Sequence, residues 1–411
     1  MKVLFFHLMP YRFLPDDFEA RHRSVWVDVP RSLADPARVA GLYQEYLDAL
    51  EHAEAAGFDG LCVNEHHANA YGLMPSPNLM AAALARRTRR AALVVLGASL
   101  AAYNPPLRVA EEFAMLDLLS GGRLVAGFPV GTSMDMNFAY GIPPPSLRDR
   151  YHEAHDLVIQ AWTRPDVFAF NGRFTQIRYV NIWPQPLQQP HPPVWIPGGG
   201  SVETWEWTAR HDYVYCYLSY FGYRRGQETM NGFWETMSRL GLDDNPFRAG
   251  FLQLVCVADT DAEAEREYLP HVHYFYQKCL QVWEGFAEAP GYRTLRTLKA
   301  GVRPQVGDRA RRIRQSLDWK RYVEEGYIVA GSPATVREQL RDCIRRLRVG
   351  HLMVLLHIGS MPPELTRKNT DLFAREVLPH LVGEWAGYQD RWWPAAAHRA
   401  DGPATVAATR A

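Results

Sequence analysis

Short apolar runs alternate with amphipathic helical stretches along almost the whole chain, and this alternation narrows the fold to a parallel sheet with crossover helices. Strand-like runs fall at Lys2 to Leu8, Gly60 to Val63, Leu93 to Ala98, Arg123 to Phe128, Val194 to Pro197, Tyr213 to Leu218, Phe251 to Val257 and His351 to Leu356. Between Pro36 and Ala56 the positions Val39, Leu42, Tyr43, Tyr46, Leu47 and Leu50 keep the i, i+3, i+4, i+7 spacing of one buried helical face. Asp35-Pro36, Ser76-Pro77 and Ser332-Pro333 each place a capping side chain before a proline at the first helical position. Further helices are expected from Leu107 to Leu119, Arg148 to Thr163, Ser201 to His211, Arg224 to Leu240, Pro333 to Arg348 and Glu364 to Leu381. Eight strands, each followed by a helix, predict an α/β fold of the closed (β/α)8 TIM-barrel type. A doubly wound open sheet would carry a glycine-rich dinucleotide turn after an early strand, and none follows Lys2 to Leu8.

The expected organisation is a single barrel domain over residues 1–382 and a C-terminal extension over 383–411, disordered from the Ala/Pro-rich stretch at Ala395. More chain lies between the seventh and eighth strands than one helix needs. There, Ala262 to Glu284 reads as helix, and the Arg- and Gly-rich Gly285 to Gly331 reads as irregular, an insertion or lid over about 284–331. A proline-rich connection precedes Val194. Lys+Arg equals Asp+Glu at 45 each, so no net field draws the chain to nucleic acid or anionic lipid. The five cysteines, with no CxxC pair, fit buried thiols in a reducing compartment. With no apolar stretch of about 20 residues and no signal-peptide pattern at Lys2 to His7, a cytoplasmic location is expected.

Chemistry concentrates at Asn64-Glu65-His66-His67, which follows the second strand directly. Parallel barrels present their reactive groups where strands end and loops begin, and two imidazoles beside a carboxylate exchange protons near neutral pH. A hydrogen-bonded structural histidine pair is the bland alternative. Gly198-Gly199-Gly200-Ser201 lies between a strand and a helix. Glycines let an anion approach, N–H groups and the helix N-terminus attract it, and Ser201 can both cap the helix and donate. A plain turn is the competing reading. Phe6, Tyr11, Phe13, Tyr103, Phe138, Tyr140 and Tyr217, near predicted strand ends, point to an apolar substrate pocket or else to core and dimer packing.

These blocks taken together resemble the bacterial luciferase-like flavin-dependent monooxygenases, from the first strand to Leu381. The resemblance is carried by Ala56-Gly57-Phe58-Asp59-Gly60 through Glu65-His66-His67, then by Tyr71-Gly72-Leu73 and Pro77-Asn78. It continues in Pro106 to Glu112, Leu116-Asp117 and Ser120 to Leu124, and in Gly331 to Val336 and Leu372 through Pro379. It implies reduced FMN as a dissociable co-substrate, supplied by a separate reductase, which reacts with O2 through a peroxyflavin to oxidise a small organic substrate. His66 matches the family's functional strand-2 histidine, with Glu65 holding its tautomer or lying near the ring and His67 in support. Asn64 is counted with the cofactor contacts. Gly97-Ala98-Ser99 match the segment lying against the isoalloxazine, where small residues let a flat ring approach. Tyr151 matches a flavin-contacting tyrosine of some relatives, and the glycines with Ser201 would take the phosphate. A homodimer is expected.

One departure stands out. Many relatives place an arginine just after the fourth strand, whereas this chain reads Phe128-Pro129-Val130-Gly131-Thr132-Ser133. Either Thr132, Ser133 and Tyr151 bind the phosphate there, or Arg148 or Arg150 reaches in from the following helix. Three rival functions remain: a deazaflavin-dependent hydride-transfer enzyme on the same barrel, a metal-dependent hydrolase using His66, His67, His211 or His357, and a non-catalytic flavin-binding relative. The hydrolase lacks the usual ligand spacing after the first strand.

Overall fold

The computed structural model describes residues 1–131, 135–283, 286, 289–299 and 318–398. Its strands are β1 (Lys2–Phe6), β2 (Gly60–Val63), β3 (Ala92–Val95), β4 (Leu124–Gly127), β5 (Val194–Gly198), β6 (Val214–Tyr217), β7 (Ala249–Val257) and β8 (His351–Leu355). All pair in parallel with their neighbours, and β8 returns to β1 with Phe5 opposite Val354, so the sheet closes. The outer helices are α1 (Pro36–Ala55), α2 (Pro77–Arg87), α3 (Leu107–Ser120), α4 (Pro144–Thr163), α5 (Val202–Arg210), α6 (Tyr223–Arg239), α7 (Asp261–Tyr274), α8 (Pro333–Leu347) and α9 (Pro363–Leu372). The expected barrel is the observed one.

Local chemistry sets the element ends. Asp35 accepts from the Ala37 N–H at 2.9 Å ahead of Pro36, and Ser332 accepts from the Thr335 N–H ahead of Pro333. Leu42, Tyr46, Leu47, Leu50 and Ala53 form the buried stripe of α1. Gly121, at φ 68°, ends α3 in the left-handed region, and Gly122 follows it at φ 80°. Inside the barrel wall Asn369 of α9 donates to the Val255 and Leu356 carbonyls, both at 2.9 Å, and accepts from the Val257 N–H at 2.8 Å. It stitches the tops of β7 and β8 together. All five cysteines are buried and unbridged.

Three expectations change. The proline-rich connection contains an antiparallel hairpin, Phe168–Asn171 with Gln176–Val180, whose turn is held by the Glu153 carboxylate accepting from the Arg173, Phe174 and Thr175 N–H groups. The stretch expected to be irregular contains a helix, Trp319–Glu324, and a strand, Ile328–Gly331, that extends the sheet along the end of β7 with Ile328 opposite Leu254. A four-residue run ending in glycine is too short to announce itself by periodicity. Residues 284, 285, 287, 288 and 300–317 of that insertion lie outside the described residues.

The extension does not loosen at Ala395. Trp393 packs on Trp195 and His351 at 6.0 and 5.8 Å, the Trp392 indole donates to the Asp212 carbonyl at 2.7 Å, and the His398 N–H donates to Arg90. These contacts floor the barrel at the N-terminal ends of its strands, where aromatic burial outweighs the ordering cost of an Ala/Pro-rich chain. Residues 399–411 lie outside the described residues.

Replacing Asn369 by Leu strands three backbone groups and is expected to cost about 3 kcal/mol of stability. Chemical denaturation of the ligand-free protein checks it through a lowered midpoint at unchanged slope.

Candidate active site

The strands end on one cavity of about 280 Å³. Phe6 enters it from β1, residues 64 to 67 from β2, Leu96, Gly97 and Ser99 from β3, Pro129 to Gly131 from β4, Pro197 to Ser201 from β5, and Leu218, Tyr220 and Phe221 from β6. The two motifs singled out in the sequence therefore face a common space, as a barrel's C-terminal face requires.

Glu65 is the knot of the β2 side. One carboxylate oxygen accepts from the Ser99 N–H at 2.7 Å and the other meets His67 Nε2 at 2.8 Å, with both side chains almost wholly buried. The Tyr103 hydroxyl approaches the same oxygen at 3.4 Å, and the Tyr140 hydroxyl stands 3.4 Å from His67 Nδ1. Glu65 thus orients His67, which corrects the expectation that it holds the tautomer of His66. Alternation of side chains along the extended segment is the cause: residues 65 and 67 share a side and 66 points away from both.

His66 belongs to an aromatic corner instead. Its ring stands edge-on to Trp26 at 5.1 Å and to Tyr71 at 4.7 Å, while Trp26 stacks on Tyr71 at 4.0 Å. The Tyr71 hydroxyl bonds that of Tyr220, and burial pushes the Tyr220 phenol up, so it stays protonated. Gly72 packs closely here, since a Cβ would sit 3.0 Å from the His66 ring and 3.1 Å from the Leu8 carbonyl and press on both.

Gly97 lines the cavity, but its missing side chain answers a neighbour: a Cβ would lie 2.2 Å from the Glu65 nitrogen. Close packing of two strand ends, not room for a ring, makes glycine obligatory at this position.

Across the mouth, Ser201 caps α5 by accepting from the Thr204 N–H at 3.2 Å. Gly200 has φ 98°. Arg148, in the second turn of α4, reaches over to donate to Thr204 Oγ1 at 3.3 Å and Ser201 Oγ at 3.4 Å, and it lines the cavity. This supplies the cation that β4 lacks. Arg150 does not reach in; its guanidinium lies over the Phe174 ring at 4.5 Å. Thr132 and Ser133 lie outside the described residues.

Two expected cofactor contacts are not in the lining. Ala98 is fully buried between its cavity-facing neighbours, and Tyr151 is fully buried with its hydroxyl donating to the Phe128 carbonyl at 2.8 Å. Tyr151 holds the end of β4 from behind. Of the aromatic residues expected in the pocket, Phe6 alone lines it. Trp26, Tyr71, Tyr220, Phe221 and Tyr292 do so instead, and they come from loops whose path no local periodicity reveals. His211 packs on Trp207 at 4.4 Å, and His357 stacks on His7 at 4.8 Å, both away from the cavity. Burial holds His7 down to about 3 and His357 well below its ordinary value, so both imidazoles are neutral.

Residues 289–299 form a strap against the anion side. The Tyr292 hydroxyl donates to the Gly131 carbonyl at 2.5 Å, Thr294 and Thr297 donate to the Glu203 carboxylate at 2.5 and 2.6 Å, and Arg296 grips Glu206 with bonds of 3.0 and 2.6 Å. Burial pushes the Glu203 carboxyl up, but the two threonine hydroxyls outweigh it and hold it below its usual range. Arg296, then Arg239, pull Glu206 down to about 2. No local pattern in the chain announces this docking.

Asn64 supplies the test of what the cavity accepts. It is 4% exposed, it lines the cavity, and among the described residues neither its Nδ2 nor its Oδ1 finds a hydrogen-bond partner. A buried carboxamide with nothing bonded, facing a capped glycine run and a guanidinium across an apolar floor, fits a flat polar-edged ring carrying a phosphate. FMN has those parts.

The sequence matches the family described as luciferase-like monooxygenase over residues 26–351. The chain belongs to the luciferase-like monooxygenase family. It is 32% identical over 178 residues, 42% of this chain and 48% of the relative, to the oxygenase component of the flavin-dependent trigonelline monooxygenase of Acinetobacter baylyi. Among solved structures, the oxygenating constituent of 3,6-diketocamphane monooxygenase from Pseudomonas putida, a type II Baeyer-Villiger enzyme in complex with FMN, superposes with a TM-score of 0.70 at 19% identity, covering 92% of this chain and 98% of that one. An F420-dependent secondary alcohol dehydrogenase shares the fold at a TM-score of 0.63 and 15% identity, covering 92% and 98%. Family membership makes this chain an oxidoreductase of the monooxygenase class. Among the described residues, no helix is long and apolar enough to cross a membrane.

Removing the two carboxylates that hold the strap, Glu203→Ala with Glu206→Ala, is expected to speed tryptic cleavage after Arg293 and Arg296 several-fold, read by mass spectrometry. Both carboxylates titrate below their ordinary range. The docking is therefore complete above that range and weakens as the pH falls through the lowered values, so cleavage by an acid protease should rise below about pH 4.

Proposed function

We propose that this protein is the oxygenase of a two-component system, using reduced FMN from a separate reductase and O2 to oxidise a small, largely apolar organic substrate. The observation that carries the reading is the single cavity that holds His66 and its aromatic corner on one side and Arg148 with residues 198–201 on the other. Arg148, Ser201, Thr204 and the first N–H groups of α5 would hold the phosphate, through charge-assisted bonds at a helix N-terminus. Asn64 would meet the ring. The reduced flavin, when bound, supplies the two electrons that let dioxygen deliver one oxygen atom to the substrate and the other to water.

The remaining work belongs to the chain. Glu65 accepts the Nε2 proton of His67 and so leaves Nδ1 directed toward Tyr140. His66, held edge-on against the stacked Trp26 and Tyr71, is the group that takes and returns a proton at the reacting centre. Phe6, Leu218, Phe221 and Leu280 supply an apolar floor that excludes water. Leu79 on α2 and Met115, Leu118 and Leu119 on α3 are exposed apolar side chains on adjoining helices, which supports a homodimer through that face.

The likeness in fold to an F420-dependent dehydrogenase keeps a second reading in play, hydride transfer to a deazaflavin. Reduction of that cofactor by an alcohol under nitrogen, with no oxygen uptake on FMN, would decide for it.

Anaerobic titration tests the main reading. Arg148→Ala is expected to weaken FMN about 10- to 100-fold while leaving riboflavin, which lacks the phosphate, nearly unaffected. Equal losses for both ligands would sink the anion seat. His66→Ala is expected to bind FMN normally, yet to slow oxygen-dependent substrate turnover by about a hundredfold. Unchanged turnover in that variant would refute its role.

A further inference from the structure

Asn64 holds an unusual position for an amide. The strand does not employ it: the Val63 carbonyl is bonded by the Leu96 N–H, and the adjacent Glu65 carboxylate is committed to Ser99 and His67. Its two polar atoms are buried, unbonded and in the cavity wall. A buried carboxamide in that condition is a liability unless a ligand satisfies it. The question is which ligand edge does so.

A carboxamide offers a donor and an acceptor side by side. Its complement is an edge carrying an acceptor and a donor side by side. The barrel fixes which part of a ligand arrives there. Asn64 ends β2 and the anion seat ends β5, three strands round a barrel whose maximum separation is four, so the two stand nearly opposite across the mouth. On the FMN reading, which this inference rests on, the phosphate chain leaves the ring at N10. The ring edge turned away from that atom carries N5 and the C4 carbonyl.

The redox state then matters. Reduced flavin presents N5–H beside the C4 carbonyl, a donor and an acceptor that Asn64 can answer together. Oxidised flavin presents two acceptors, leaving the amide oxygen against the N5 lone pair. A 5-deazaflavin has carbon at that position and offers no donor in either state. We propose that Asn64 selects reduced flavin over oxidised flavin, and over any 5-deazaflavin, through paired hydrogen bonds to N5–H and the C4 carbonyl. Selection here works as much by an unanswered polar group in the wrong ligand as by bonds in the right one.

The test is equilibrium binding under anaerobic conditions to the wild type, Asn64→Ala and Asn64→Leu. The probes are FMN, dithionite-reduced FMN, and 5-deazariboflavin 5′-phosphate in both redox states. The wild type is expected to bind reduced FMN about tenfold more tightly than oxidised FMN. That ratio should fall toward one in both variants, chiefly through weaker binding of reduced FMN, with no comparable preference for reduced deazaflavin in any of the three proteins. Thermal melting of the ligand-free proteins gives a second readout. Asn64→Leu should melt at or above the wild-type temperature, because it removes an unbonded buried amide, whereas an asparagine needed only for structure would give a lower melting point. A reduced-to-oxidised ratio that is the same in the wild type and both variants overturns the role of Asn64 and leaves the flavin reading standing. A wild type that binds FMN in neither state overturns the flavin reading and this inference with it.

Discussion

The Glu65 carboxylate is the constraint on which the candidate site depends. It is buried where the ends of β2 and β3 meet, and one oxygen ties the β3 end through the Ser99 N–H while the other fixes His67. A carboxylate sealed from water needs such partners, and charge-assisted bonds to a backbone N–H and an imidazole are strong in so dry a place. The strand ends can draw this close because Gly97 has no side chain to intervene. Everything on the β2 side of the cavity follows. With the side chains of Glu65 and His67 tied to each other, His66 is left to its aromatic corner and Asn64 to the cavity wall without a bonding partner among the described residues.

The opposite side is built on a different principle. A glycine run, a helix N-terminus and one borrowed guanidinium make an anion seat from parts that are individually ordinary. Arg148 reaches it from α4, one crossover helix earlier in the chain, so the charge arrives from a neighbouring element and not from the strand end. The strap over residues 289–299 then leans on Glu203 and Glu206 of the same helix α5. One short helix thus offers its N-terminus to the cavity and its carboxylates to the strap.

Legibility from the sequence tracks how local the physics is. The strands, the helix caps at Asp35, Ser76, Ser201 and Ser332, and the cluster at 64 to 67 could all be read, because hydrophobic period and capping chemistry act over a few residues. The hairpin at 168 to 180 and the strand at 328 to 331 could not, because short runs among prolines and glycines carry little periodic signal. Trp26 and Tyr220 were missed as cavity residues for a related reason, and Arg148 was one of several candidates that the sequence could not rank. A loop tryptophan and a tyrosine past a strand end have no local mark, and the closed barrel alone brings them, and one arginine of the two offered, to the cavity.

The amino-acid order by itself determined the barrel, the family and the two strand-end motifs, since these rest on burial patterns and on backbone freedom that each segment carries within it. Tertiary structure alone decided that Glu65 serves His67 and not His66, that Gly97 yields to a neighbouring strand and not to a ring, and that the cation of the anion seat is Arg148. Each of those outcomes depends on distances between segments far apart in the chain, and hydrogen bonds and packing are made or refused over tenths of an ångström that no linear pattern records.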